Sequence, residues 1–196
     1  MNIFISILNN LKFVNNYEQI FLIVAGFLMI IFVFYKYSNK KKGLIMGKFY
    51  PFHNGHKYLI ETGLKRCDFL VVILVYKNTE NIPYKSRYDM VYKTFENEIL
   101  NGRMKLICRE NKWDNDNDSK FWADLAIKWL DGNKPQIVFT SEKYGEPWAT
   151  YIGCEHYLCD LSRIRYNVSG TVVRNDPSKY WKLLPIATQD YYMNKK

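Results

Sequence analysis

The sequence predicts an α/β fold: a doubly wound, mostly parallel five-stranded sheet with helices on both faces, preceded by an N-terminal transmembrane helix. Three observations predict it. Short apolar runs at 43–47, 69–75, 104–108, 137–140 and 157–159 alternate with longer amphipathic stretches at 56–65, 86–100, 120–130 and 146–152. Strands that alternate with helices build βαβ units, and these place the strands parallel with helices on both faces. Ahead of this pattern, residues 20–35 (IFLIVAGFLMIIFVFY) carry no charged or strongly polar side chain. Finally, 196 residues with 48% hydrophobic and 24% charged side chains suit one folded domain with a short appendage.

In chain order, residues 1–19 set Ile3, Phe4, Ile7, Leu8 and Leu11 at helical spacing, compatible with a helix lying along a membrane surface. Residues 20–37 form the expected anchor. The apolar run 20–35 would reach ~24 Å as a helix, against a hydrocarbon core of ~30 Å. Tyr17 and Tyr37 extend it into the interfaces, and Lys36 can snorkel outward. A buried core helix fits less well, because the run is apolar all round and lysines follow at once. A cleaved signal peptide also fits less well, because the preceding segment is long and weakly basic and no small-x-small site follows. Lys36, Lys40, Lys41 and Lys42 flank a basic linker at 38–42. The positive-inside rule then places the folded domain, 43–196, in the cytoplasm as a single-pass membrane protein.

The formal net charge of +9 admits nucleic acid, an anionic membrane or phosphorylated small molecules as partners. A nucleic-acid binder concentrates its lysines on one element with aromatics interleaved. Here the one tight run sits beside the apolar stretch, so the charge favours membrane and phosphate, and no nucleic acid is expected. Cys67, Cys108, Cys154 and Cys159 include no C-x-x-C pair and read as buried free thiols of a reducing compartment. With three histidines in the chain, no metal site built by the protein is expected. Residues 111–119 (NKWDNDNDS) read as a polar loop.

The first predicted strand leads through Gly47-Lys48-Phe49-Tyr50-Pro51-Phe52 into His53-Asn54-Gly55-His56 and an amphipathic helix. A loop entering a helix N-terminus offers unpaired N–H groups and the positive end of the dipole, which suits a polyphosphate. Gly55 permits close backbone approach to such a ligand. Two histidines at i and i+3 can both hydrogen-bond phosphoryl oxygens and offset charge building on them. Structural capping, or half of a metal site, is the plainer reading of such a pair. Two of three histidines within four residues, around a glycine and after a strand, favour the phosphate. Near the far end stand Ser169 and Thr171, which can cap a helix and offer hydroxyls, and Arg174, a planar cation for phosphate.

GKFYPFHNGH resembles the (H/T)xGH signature of the nucleotidylyltransferase superfamily, and VSGTVVR at 168–174 resembles its ISxTxxR signature. The resemblance implies a Rossmann-like sheet and adenylyl or cytidylyl transfer. With IPYKSR, FTSEKYGE, Asp160-Leu161-Ser162-Arg163 and VSGTVVRNDPSKYW, residues 43–181 are similar to one group in particular. That group is the nicotinamide-nucleotide adenylyltransferase domain of the bifunctional bacterial NAD-salvage regulators. It implies transfer of AMP from ATP to nicotinamide mononucleotide, giving NAD and pyrophosphate, with Mg²⁺ bound alongside ATP. A helix-turn-helix and a GxxxxGK[ST] kinase loop have no counterpart here, so regulation and kinase activity do not carry over.

Under this reading the acceptor phosphate is already ionised, so in-line attack on the α-phosphorus needs no general base. His53, His56, Lys48 and Arg174 are the expected catalytic residues. Gly47, Phe49, Gly55, Thr140, Ser141, Ser169 and Thr171 are expected against ATP. For the acceptor, Arg87 either binds its phosphate or forms a surface salt bridge. Trp113 either stacks on the nicotinamide ring or packs on Trp122. Asp160 and Arg163 are expected to pair with each other, and the aromatic tail with Trp181 and Tyr191 to pack over the domain. The sequence is compatible with a homo-oligomer. Other acceptors (nicotinate mononucleotide, phosphopantetheine, riboflavin phosphate) and a catalytically inactive, membrane-anchored nucleotide-binding protein remain the alternatives.

Overall fold

The computed structural model describes residues 16–38, 40–113 and 118–195, with side chains from residue 18 onward except those of residues 34–38. It divides into two units, residues 1–40 and 41–196. The first contains helix α1 (Asn16–Ser38). Its side chains from Ile20 to Val33 are exposed, Val24 and Val33 least among the large ones at 50%. The expected transmembrane span is corrected here: among the described residues, no helix is long and apolar enough to cross a membrane. The expected surface helix in residues 1–15 lies outside the described residues.

The second unit is an α/β domain. Its elements are β1 (Lys42–Gly47), α2 (Asn54–Arg66), β2 (Phe69–Tyr76), α3 (Tyr84–Thr94), α4 (Glu96–Leu100) and β3 (Met104–Glu110). After these come α5 (Ser119–Trp129), β4 (Ile137–Thr140), α6 (Gly145–Ile152), β5 (Glu155–Leu158), α7 (Gly170–Asn175), a 3-10 turn at Trp181–Leu183 and α8 (Ile186–Met193). The helix expected over 86–100 is broken in two, because Phe95 (φ −124°, ψ 28°) leaves helical geometry to bury its ring.

Every strand pairing is parallel, in the order β3-β2-β1-β4-β5. The alternation of side chains along a strand sorts the core into two layers. Ile45, Leu70, Val72, Leu74, Ile137 and Phe139 face one layer with Leu59 and Ile60 of α2 and Met90 and Val91 of α3. Leu44, Ile73, Val75 and Val138 face the other with Ala123 and Ala126 of α5 and Trp148, Ala149 and Ile152 of α6. Strand order reverses between β1 and β4, so the chain diverges above their carboxyl ends and leaves a crevice there.

The tail closes the first layer. Thr188 of α8 is buried and donates its hydroxyl to the Phe52 carbonyl at 2.9 Å. Val168, Val173 and Leu184 form a third small core with Tyr166, Tyr180 and Trp181 around it.

Candidate active site

A cleft of about 480 Å³ opens where β1 and β4 end. Motif residues Gly47, Lys48, Phe49, His53, Gly55 and His56 form its floor, Thr140 and Ser141 follow β4, and Ser169, Thr171 and Arg174 come from the α7 segment. The motif loop and the α7 segment lie more than a hundred residues apart in sequence. The switch point brings them together.

The floor is built by unusual backbone. Phe49, at φ 46°, is a buried non-glycine residue in the left-handed region, a conformation that persists where surrounding packing enforces it. The Tyr50–Pro51 peptide is cis. His53 is the N-cap of α2, and its Nδ1 accepts the His56 backbone N–H at 3.4 Å. That bond places the His53 proton on Nε2. Gly55 has a local reason to lack a side chain: a Cβ there would crowd the His53 ring at 3.1 Å.

The two imidazoles stack 3.6 Å apart at 18°. His56 also meets Phe49 edge-on at 5.1 Å and Phe52 face-on at 6.1 Å. Burial, with the Arg163 guanidinium adding to it, pushes the pKa of His53 down to about 3. Burial also holds that of His56 well below the ordinary imidazole value, with His53 and then Arg163 reinforcing it. Both rings are therefore neutral at pH 7 and act as hydrogen-bond donors rather than as cations. Nδ1 of His56 is buried and finds no partner among the described residues.

Arg174 is set from several sides. Its Nη1 donates to the Tyr50 carbonyl at 2.5 Å and its Nη2 to the Thr171 hydroxyl at 3.2 Å. Its guanidinium lies 4.2 Å from the centre of the Tyr50 ring. A side chain at Gly170 would collide with the same carbonyl, so α7 sits directly on the motif loop. Ser169 caps α7 by accepting the Val172 N–H at 3.4 Å.

Two expected acceptor residues lie outside this lining. Arg87 forms an ion pair, but a buried one rather than a surface one. At 0% exposure it donates to Glu80 at 2.7 Å and to the Lys48 carbonyl at 2.9 Å. Trp113 packs edge-on against Phe121 at 5.5 Å, and Phe121 in turn packs on Trp122. The expected Asp160–Arg163 pair is also corrected. Asp160 spends its carboxylate on the backbone N–H groups of Ile164 and Arg165, and Arg163 instead meets Glu142 at 3.1 Å.

Sequence reasoning missed three participants, Tyr50, Tyr144 and His156. Tyr50 is approached by Arg87 at 5.1 Å as well as by Arg174, and its hydroxyl accepts the Asn81 N–H. Glu142 and Tyr144 line the crevice, and His156 on β5 hydrogen-bonds Thr140 at 2.8 Å. A second cleft of about 470 Å³ opens beside the first, lined by Val75, Ser119, Trp122 and Trp148. The two share Met46, Gly47, Lys48, Glu142 and Tyr144. Trp148 is 2% exposed, and its Nε1 has no partner among the described residues.

Among the described residues no three His, Cys, Asp or Glu side chains converge as metal ligands. The cleft wall does carry carboxylates, from Glu80, Glu142 and Asp160. Glu80 is committed to Arg87, Asp160 to backbone N–H groups and Glu142 to Arg163.

Comparison with known proteins follows the same lines. The model for the citrate lyase ligase C-terminal domain matches residues 42–104. The trifunctional NAD biosynthesis/regulator protein NadR of Escherichia coli is 25% identical over 173 residues, 80% of this chain and 42% of that one. Its Salmonella typhimurium counterpart is 27% identical over 170 residues, 79% of this chain and 41% of that one. The chain thus spans less than half the length of these relatives. The [Citrate [pro-3S]-lyase] ligase of Escherichia coli is 37% identical over 59 residues, 30% of this chain and 17% of that one. Among solved structures, NadR in complex with NR superposes with a TM-score of 0.58 at 17% identity, covering 75% of this chain and 44% of that one. NadR with NAD and AMP-PNP gives 0.55 at 17% identity, covering 74% and 44%.

Fold, motifs and matches point to one class: the chain is similar to nucleotidyltransferases in its sheet and in both signatures. Within that class, most of its length is similar to part of NadR.

Proposed function

We propose that the protein is a nicotinamide-nucleotide adenylyltransferase, transferring AMP from ATP to nicotinamide mononucleotide with release of pyrophosphate. One observation carries the reading: two clefts of substrate size meet at the strand-order switch point and share Lys48. The first has phosphate chemistry, with a helix N-terminus, two neutral imidazole donors and a fixed guanidinium. The second is walled by Trp122 and Trp148, and the unpaired indole N–H of Trp148 suits a flat ring bearing a hydrogen-bond acceptor. The similarity to NadR, whose solved complexes hold NR, NAD and an ATP analogue, supports the same assignment.

ATP takes the first cleft, its triphosphate over the start of α2. His53 and His56 donate to phosphoryl oxygens. Arg174 stabilises the departing pyrophosphate, and Lys48, exposed where the clefts meet, offsets charge on the transferred group. The acceptor in the second cleft brings its ionised phosphate to the α-phosphorus from the side opposite the leaving group. Mg²⁺ bound with ATP would neutralise phosphate charge. Arg87, locked behind the loop, supports the Lys48 carbonyl rather than meeting the acceptor.

A second reading, the same transfer to a different acceptor, is favoured by the citrate lyase ligase match. That match ends at residue 104, so it contains the phosphate loop but neither α6 nor motif two. Offering the purified full chain ATP with each candidate acceptor, and measuring pyrophosphate, separates the readings. Release with nicotinamide mononucleotide is the expected result. Release only with another acceptor selects the second reading, and none with any acceptor removes the enzymatic assignment.

A further inference from the structure

Two arginines line the nucleotide cleft, a third, Arg87, lies behind it, and each is held differently. Arg87 is fully buried, with Glu80 at 2.7 Å, so moving it would strand a charge inside the protein. Arg174 is preset by Tyr50 and Thr171. Among the described residues, Glu142 is the side chain that holds Arg163, and the two side chains are 42% and 50% exposed. Ion pairs so open to water contribute little, so exchanging the partner costs little.

We propose that Arg163 is a second phosphate-binding arginine, held by Glu142 and handed to the triphosphate when the nucleotide enters. The proposal rests on the nucleotidyltransferase reading of the cleft. Both residues line that cleft, Glu142 from the loop after β4 and Arg163 from the loop after β5. The Arg163 guanidinium is close enough to help keep His53 and His56 neutral, which places its charge on the side where phosphate would lie.

The loop does not depend on the ion pair for its shape. Arg163 stands at φ 52° and Asp160 at φ 49°, and the Arg163 N–H donates to the Asp160 carbonyl at 2.9 Å. The Asp160 carboxylate ties down Ile164 at 2.9 Å and Arg165 at 3.2 Å. The side chain can therefore change partner while the backbone stays. A triphosphate offers several oxygens to a planar guanidinium in place of one carboxylate oxygen, and charge-assisted bonds of that kind are the stronger ones.

Calorimetric titration of the full chain with ATP, in EDTA so that no metal contributes, tests this with Arg163→Gln and Glu142→Gln. Partner exchange predicts that Arg163→Gln weakens ATP binding ~10- to 100-fold. It predicts that Glu142→Gln binds ATP as well as the unmodified protein or better, because the competing carboxylate is gone. If the pair is merely a strut between two loops, either substitution breaks it and both weaken binding alike. That result, any weakening in Glu142→Gln, or unchanged affinity in Arg163→Gln, overturns the proposal. Absence of ATP binding by the unmodified protein would instead remove the reading of the cleft itself.

Discussion

At the scale of single residues, His56 carries the sharpest expectation. Its ring is neutral, stacked on His53 and boxed by Phe49 and Phe52, so its position is fixed before any ligand arrives. A fixed donor acts mainly where charge grows during reaction. His56→Ala is therefore expected to lower kcat by ~10²–10³-fold while changing ATP affinity only a few-fold. Steady-state kinetics beside a direct binding measurement checks this, and an unchanged kcat would refute the role. The motif histidines and Arg174 were legible in the sequence because their spacing is local. Tyr50 was not, since its role lies in being approached by two guanidiniums from positions 87 and 174. Nor was the partner of Arg163: Asp160, three residues away, is the obvious guess, and the loop's own N–H groups take its carboxylate.

Elements bring different constraints. Helix α6 starts at Gly145, tight against Thr140 and His156. A methyl group at Gly145 would overlap the Thr140 hydroxyl and the His156 ring, whose mutual hydrogen bond holds β4 to β5 at the cleft edge. Gly145→Ala is expected to destabilise the domain by ~1–3 kcal/mol, the usual penalty for overpacking. Urea unfolding measures it, and a midpoint equal to that of the unmodified protein would show that α6 shifts freely. The short apolar runs marked all five strands, and β2 and β4, the most buried on both faces, are the most continuous of them. Periodicity could not see that Phe95 breaks a helix, because residues on both sides keep the same amphipathic pattern. Apolarity located α1, but among the described residues no helix is long and apolar enough to cross a membrane.

Over the whole molecule, all three histidines are shifted the same way. Burial lowers His53 to about 3, His56 well below 6.5, and His156 below 6.5 as well. Between the folded and unfolded values the unfolded chain binds more protons, so their contribution to stability is intact above pH 6.5 and is lost as pH falls toward 3. Each group fully inside that window contributes a slope of up to ~1.4 kcal/mol per pH unit. The urea midpoint is thus expected to drop between pH 7 and pH 5, and to drop less in a His53→Asn, His56→Asn double variant. Parallel pH curves for the two proteins would contradict this origin.

The two clefts share a wall made by the ends of β1 and β4. Under the proposed function, neither ligand has to leave before the other enters, and no covalent stage on the protein is needed between them. A single molecule that tethers an adenosine polyphosphate to an aromatic ring would then find its second foothold at high effective concentration once the first is engaged. Such a compound would bind more tightly than either half, with the length of its phosphate bridge, rather than new contacts, setting the gain.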